Sequence, residues 1–294
     1  MNAPTFPREV ADKIFWINQC MGAGDADTPF HLHLSLFLLK GDDATMLVDT
    51  SMQALWPSIE KQLDEALGGR PLDYLFVTHP ELPHSAALPL HLEKFPDMQV
   101  VGDMRDYHVF FPDYVDRFHH KVPGDTMDLG DLKVTFLEGH IKDLPGTLWA
   151  YESTRQAMFV CDGFSFTHDS PIALDSQGLP VGHDFDDDDE DEAPYHMPGD
   201  CALVSSEIAT GVDVDKAAFL LRRALYWARF VDADKLFGDV QEVMFTTMPT
   251  KLICPSHGNV IDNLDVVTPV IKQSHVRAYA AATADKKPGL AAPR

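Results

Sequence analysis

In the stretch THPELPHSAALPL, residues 78 to 90, His79, Glu81 and His84 fall within six positions, with Pro80 and Pro83 between them. Two imidazoles and a carboxylate so close together can grip a metal ion. Such an ion either activates a bound water for hydrolysis or, if it is redox-active, exchanges electrons with a small ligand. Three more residues of ligand type follow: His140 in EGH, Asp162 in VCDGF and His257 in CPSHG. A lone histidine is usually a hydrogen-bonded structural residue, so these matter only if the fold brings them together.

The elements that must do so can be read from periodicity. HLHLSLFLL (31–39) and TMLVDT (45–50) read as strands joined by the turn signal KGDDA. Leu55, Ile59, Leu63 and Leu67 recur every four residues and predict a helix over about 53–67, capped by Ser51 or a neighbour and ended by Gly68 and Gly69. DYLFVTH (73–79) reads as a buried strand, followed by a helix near 85–94. MQVVGD, LKVTFLEG, LWAYES, AMFVCD and KLICPSH are further strands, and a helix is expected near 213–231. His79, His140, Asp162 and His257 each stand at or just past the carboxyl end of a different strand. Strand ends are where a rigid scaffold aims loop residues at one point.

Strands and helices come both interleaved and in blocks, which predicts an α/β protein: an αβ/βα four-layer sandwich of two mixed sheets with helices outside. Residues 1–294 are expected to form a single domain, interrupted by an acidic insertion over about 165–212 and ending in a loose tail over about 281–294. The insertion holds DFDDDDEDE (184–192), with eight acidic side chains, read as a solvated loop.

Composition narrows the function classes. The net charge of −23 opposes binding to a phosphate backbone, so nucleic acid is excluded as a partner. No apolar run is long enough to span a bilayer, and the N-terminus lacks an export signal, so a cytoplasmic location away from membranes is expected. The four cysteines, Cys20, Cys161, Cys201 and Cys254, lie far apart in sequence and read as reduced thiols.

The series HPELPH, EGH, VCDGF and CPSHG, with LVDTS before the first helix, resembles the metallo-β-lactamase superfamily. Within it, the series is most similar to the HxExDH, His, Asp, His pattern of flavodiiron proteins and their stand-alone oxygen-binding diiron relatives. The resemblance runs over roughly residues 10 to 275. It implies a metal pair, one ion held by His79, Glu81 and His140, the other by His84 and His257, with Asp162 bridging. Asp49 would be a buried carboxylate behind the ligands, and His31 or His33 a donor or spare ligand in the pocket wall. Glu81 stands where zinc hydrolases of the superfamily carry histidine. That makes the set harder and more anionic and favours two iron ions, without excluding zinc or partial occupancy. The chain departs from the pattern at Pro83, which replaces an aspartate and offers no donor, leaving the second ion with more open positions.

The function expected is a non-haem diiron protein that binds or reduces a small oxidant such as O2, NO or peroxide, as an oxygen sensor or a reductase. The chain stops soon after His257, so electrons are expected from a separate donor. The resemblance also admits a homodimer. The alternative is a metal-dependent hydrolase acting on an ester, lactone, thioester or amide. A third reading, a protein-binding module that has lost its metal, rests on Pro83 alone.

Overall fold

The computed structural model describes residues 4–24, 29–168, 201–209 and 211–284. Seven strands form the first sheet, adjacent in space in the order in which they occur: β1 (Arg8–Ala11), β2 (Ile14–Gly24), β3 (Pro29–Lys40), β4 (Thr45–Val48), β5 (Tyr74–Val77), β6 (Gln99–Gly102) and β7 (Phe118–His120). β1 to β4 pair antiparallel and β4 to β7 parallel. Parallel neighbours need a crossover. Helix α1 (Trp56–Leu67) makes the first, α2 (Leu82–Ser85) with α3 (Leu88–Lys94) the second, and the segment containing α4 (Tyr107–Phe110) the third.

The four-residue repeat of α1 is borne out: Leu55, Ile59, Leu63 and Leu67 are all buried, and the helix stops at Gly68, whose φ of 60° suits a residue without a side chain. Ser51 does not cap it. A short 3-10 turn, Gln53–Leu55, intervenes, and Pro57 starts the first turn, where its missing N–H costs nothing.

The second sheet has β8 (Thr126–Asp128), β9 (Lys133–Glu138), β10 (Leu148–Glu152), β11 (Ala157–Cys161) and β12 (Leu252–Pro255), in the spatial order β12-β11-β10-β9-β8. Helices α5 (Val214–Ala224), α6 (Ala233–Gln241) and α7 (Leu264–Ala284) follow β11 in the chain. Asp213 and Asp232 cap α5 and α6, each accepting two backbone N–H bonds in the first turn.

Three apolar clusters define four layers. Between the sheets, Phe37 meets Phe159 and Phe76 meets Phe136, with ring centroids 5.5 and 4.9 Å apart. Leu55, Ile59, Leu63, Leu88 and Leu92 pack on the first sheet's outer face, and Leu221, Phe237, Val240 and Ile271 on the second's. The expected αβ/βα sandwich is the observed fold. No helix among the described residues is long and apolar enough to cross a membrane.

Several elements carried no clear sequence signal. β2 is buried along most of its length, so its apolar residues do not alternate. α7 contains Pro269 and a β-branched run, Val266-Val267-Thr268, which hide its period. The expected loose tail is corrected at its start, because α7 runs to Ala284; residues 285–294 lie outside the described part. The flanks of the expected insertion are packed: Phe166 and His168 before it, and Cys201, Ala202 and Val204 after it, are buried. The acidic run 184–192 lies outside the described residues.

Candidate metal centre

Strand ends of both sheets meet along one edge of the sandwich. Asp49 directly follows β4, His79 lies two residues beyond β5, Asp162 directly follows β11, and His257 lies two residues beyond β12. Asp49 and Cys161 adopt positive φ, 65° and 42°. These conformations are costly for residues with a side chain and persist only where surrounding contacts impose them. Asp49 shows those contacts: Oδ1 accepts from the backbone N–H (2.9 Å) and the hydroxyl (2.8 Å) of Thr78, and Oδ2 accepts from Ser256 Oγ (3.2 Å).

The HPELPH stretch is folded more tightly than a fully extended path. Glu81 is extended (φ −70°, ψ 152°), but the chain turns into α2 at Leu82, with Pro83 in its first turn. His84 thereby turns inward and is buried, whereas the Glu81 side chain stays about half exposed. Ligand atoms of His79, Glu81, His84 and Asp162 all lie within 4.8 Å of one another.

The two oxygens of Asp162 face different imidazoles. Oδ1 is 3.2 Å from His84 Nε2 and 3.1 Å from His257 Nε2, while Oδ2 is 3.2 Å from His79 Nε2. Behind them, His84 Nδ1 pairs with Asp49 Oδ2 at 2.7 Å, and His257 Nδ1 donates to the carbonyl of His33 at 2.8 Å. A bonded rear nitrogen fixes each ring and leaves the other nitrogen for the centre. Glu81 Oε2 is 3.6 Å from His79 Nε2.

Charge explains the protonation pattern. Burial pushes the Asp162 carboxyl up, but the surrounding imidazoles, His84 foremost, outweigh it and hold the group well below the usual carboxylate range. Burial lowers His84, yet Asp49 and Asp162 on either side raise it well above an ordinary histidine. Glu81 is lowered, chiefly by the neighbouring His79. Even so, His79 Nε2 and Asp162 Oδ2 are buried without a hydrogen-bond partner. Orphaned buried polar atoms of opposite demand, facing one point, are what a cation would satisfy.

Of the six residues expected as ligands, His79, Glu81, His84 and Asp162 form the mutual set, and His257 joins it through Asp162. His140 is half-buried beside Trp149, outside that set, with Nδ1 donating to the Glu138 carbonyl at 3.0 Å. Asp143 has a stronger place than its sequence suggested. Its Oδ1 is 3.3 Å from His79 Nε2, buried and unpartnered, and burial raises its carboxyl to about 6. The only sequence signal for it was its spacing of three from His140. His33 contributes its carbonyl to the centre; its imidazole points elsewhere. His31 lies on β3, but its side chain is outside the described residues. His119 and His120 are exposed.

A cavity of 270 Å³ opens beside the centre, lined by Glu81, Pro83, Asp162 and His257 and walled by Leu32, Leu220, Leu221, Ala224 and Leu225. A larger cleft of 670 Å³ borders Pro80 and Leu82 but is lined by none of the clustered imidazoles or carboxylates.

Comparison with known proteins agrees with this geometry. Residues 33–160 match the metallo-beta-lactamase superfamily. A putative diflavin flavoprotein A 2 of Synechocystis sp. is 30% identical over 153 residues, covering 51% of this chain and 26% of the relative. A nitric oxide reductase of Moorella thermoacetica is 25% identical over 184 residues, covering 58% of this chain and 45% of the relative. The matches therefore span less than half the length of these curated relatives. The rubredoxin oxygen:oxidoreductase of Desulfovibrio gigas superposes with a TM-score of 0.61 at 16% identity, covering 92% of this chain and 61% of that one, which is a likeness of fold. Residues 33–160 are thus similar to the metallo-beta-lactamase superfamily, and the solved structures that share the fold include flavodiiron proteins of Thermotoga maritima and Giardia intestinalis.

Proposed function

We propose that His79, Glu81, His84, His140, Asp162 and His257 hold a pair of iron ions, at which a small oxidant, O2 or NO, is bound and reduced. The observation that carries this reading is the Asp162 carboxylate, whose oxygens face His79 on one side and His84 with His257 on the other. A carboxylate so placed can be shared between two ions. The donor set, imidazoles with Asp162, Glu81 and Asp143, is richer in oxygen than an all-histidine zinc centre and suits iron. Asp143 supplies carboxylate oxygens near His79, whereas Pro83 supplies none.

An iron pair, when bound, supplies two electrons and a Lewis-acidic surface to the oxidant. The chain's own residues do the rest. Asp49 and the His33 carbonyl hold His84 and His257 in register from behind. Leu32, Leu220, Leu221 and Ala224 make an apolar approach suited to a neutral diatomic. Reduction of O2 to two waters takes four electrons and four protons, and coupling two NO to N2O and water takes two of each. Sustained turnover to water thus needs electrons from a reductant beyond the iron pair. A homodimer in the cytoplasm belongs to the same reading; sedimentation and cell fractionation test it.

The decisive experiment is metal analysis of protein produced without added metal, with optical spectra after anaerobic reduction and again after exposure to O2 or NO. About two irons per chain and an oxidant-dependent spectral change are expected. Two zincs, no spectral response and esterase or lactonase turnover would replace this reading with the hydrolase.

A further inference from the structure

Behind the strand-end centre lies a second group of ligand-type side chains, which the function above does not use. Cys20 on β2, His33 on β3 and Cys201 are all buried, and one ligand atom from each lies within 4.8 Å of the other two. A fourth candidate stands beside them. His168 Nε2 is 3.5 Å from Cys201 Sγ, and the His33 and His168 rings are 5.1 Å apart. We propose that Cys20, His33, His168 and Cys201 form a closed tetrahedral site for one zinc ion.

The surroundings of each residue point the same way. Neither ring nitrogen of His33 makes a hydrogen bond of good geometry although the residue is 1% exposed; the groups beside them are the Cys201 thiol and the Gly258 backbone. An imidazole in water would bond at both, so folding leaves it an unmet demand that a cation on one nitrogen would fill. The tautomer of His168 is fixed from behind. Asn259 Nδ2 donates to the Leu203 carbonyl at 2.8 Å, which sets the amide's orientation, and Asn259 Oδ1 accepts from His168 Nδ1 at 2.9 Å. The lone pair therefore sits on Nε2, facing Cys201. A metal-bound histidine is typically held in this way through its other nitrogen. Cys20 Sγ accepts from Asn18 Nδ2 at 3.1 Å, and Asn18 is itself anchored by the Leu34 N–H on its Oδ1. An amide N–H aimed at sulfur stabilises a thiolate.

Two thiols and two imidazoles without a carboxylate are a soft, nitrogen-and-sulfur set that selects zinc over magnesium, calcium or manganese. Zinc bonds of about 2.3 Å to sulfur and about 2.0 Å to nitrogen put tetrahedral ligands roughly 3.5 Å apart. The observed spacing reaches that by side-chain adjustment. Without a cation, burial and the nearby Cys201 sulfur raise the Cys20 thiol, and burial lowers the His33 imidazole. Both changes disfavour charge and leave neutral groups in a dry pocket; a divalent ion reverses the penalty on the thiolates.

All four positions would be protein ligands, so the ion is structural, not catalytic. It would tie β2 and β3 to His168 and Cys201. It would also brace the His33 carbonyl that receives His257 Nδ1.

The test uses the full chain and three preparations. Protein produced in zinc-containing medium without added iron is analysed for metal and by X-ray absorption at the zinc edge. About one firmly held zinc per chain with two sulfur neighbours is expected. Asp162→Ala, which removes the strand-end centre, should retain that zinc, and after exchange with Co2+ should show a thiolate-to-cobalt charge-transfer band. Cys201→Ser should lose both zinc and band. Zinc with only nitrogen and oxygen neighbours in the unaltered protein would overturn the proposal. So would a Cys20–Cys201 disulfide in protein purified under nonreducing conditions. The sulfur signal reports this site alone, so failure here leaves the diiron reading intact, and the converse also holds.

Discussion

The buried histidines of the helical layers and those of the strand ends differ in their partners. In the helical layers, His91 on α3 and His275 on α7 each donate Nδ1 to the carbonyl four residues earlier, and burial lowers both to about 4. At the strand ends, His84 is just as buried, yet the carboxylates of Asp49 and Asp162 raise it well above the ordinary value. Burial alone therefore does not mark a functional histidine. His84 differs in having a carboxylate behind its ring and a second one in front, an arrangement that holds concentrated charge which a bound ion or proton would offset.

Removing the front carboxylate breaks the contrast most completely. Asp162→Ala leaves His79, His84 and His257 with no shared anion, so both ions at the strand ends are expected to be lost. Their stabilising effect, about 4 kcal/mol when the metal is at a thousand times its dissociation constant, should vanish with them. Thermal unfolding with and without Fe2+ measures this; a metal-dependent rise in the variant would refute the sharing of Asp162. Removing the rear carboxylate should do less. Asp49→Asn keeps the shape but takes the charge from His84 Nδ1, and iron affinity is expected to fall about 10- to 100-fold. Competition with a chelator reads that change, and an unaltered affinity would mean that Asp49 serves only Thr78 and the backbone.

The helical region supplies the opposite pH behaviour. His91 and His275 have folded values near 4, while an exposed histidine in the unfolded chain titrates near about 6.5. As pH falls from 6.5 towards 4, the unfolded state takes up protons that the folded state refuses. Stability contributed above pH 6.5 is thus lost progressively through that window. The loss between pH 7 and 5 is about 2 kcal/mol per histidine. Denaturant titrations of the metal-free protein should show His91→Gln flattening this dependence. An unchanged slope would show that His91 is protonated in the folded state.

How much of this was legible depended on how local the signal was. The strand-end positions of His79, Asp162 and His257 follow from short apolar runs that stop at a ligand-type residue, and the helix α1 from a clean four-residue repeat. Asp143 was nearly silent, because its approach to His79 depends on the loop between β9 and β10. The Cys20–His33–Cys201 group was unreadable for a similar reason. Its members come from two adjacent strands and a distant segment, and β2 itself gave no alternating pattern. His31 and His33 were visible as histidines of one strand, but the neighbours of His33 are decided by its pairing with Cys20 across β2 and β3.

Pro83 is the finest test of the contrast, because it lies where a front-side donor is missing. It lines the 270 Å³ cavity together with Glu81, Asp162 and His257, in the first turn of α2. An aspartate there loses little backbone stability, since the first turn of a helix favours a negative side chain and needs no proline ring. The carboxylate would add one oxygen on the side of His84 and His257, where Asp143 does not reach by any contact seen at His79. Pro83→Asp is therefore expected to raise retention of the second iron by a factor of about ten or less, the scale on which a single partner tunes a metal site. The first iron should be unchanged. Iron-to-protein ratios after graded chelation separate the two ions. Equal gains at both would mean that the aspartate acts through general charge. No gain would mean that the proline position faces the cavity without facing the metal.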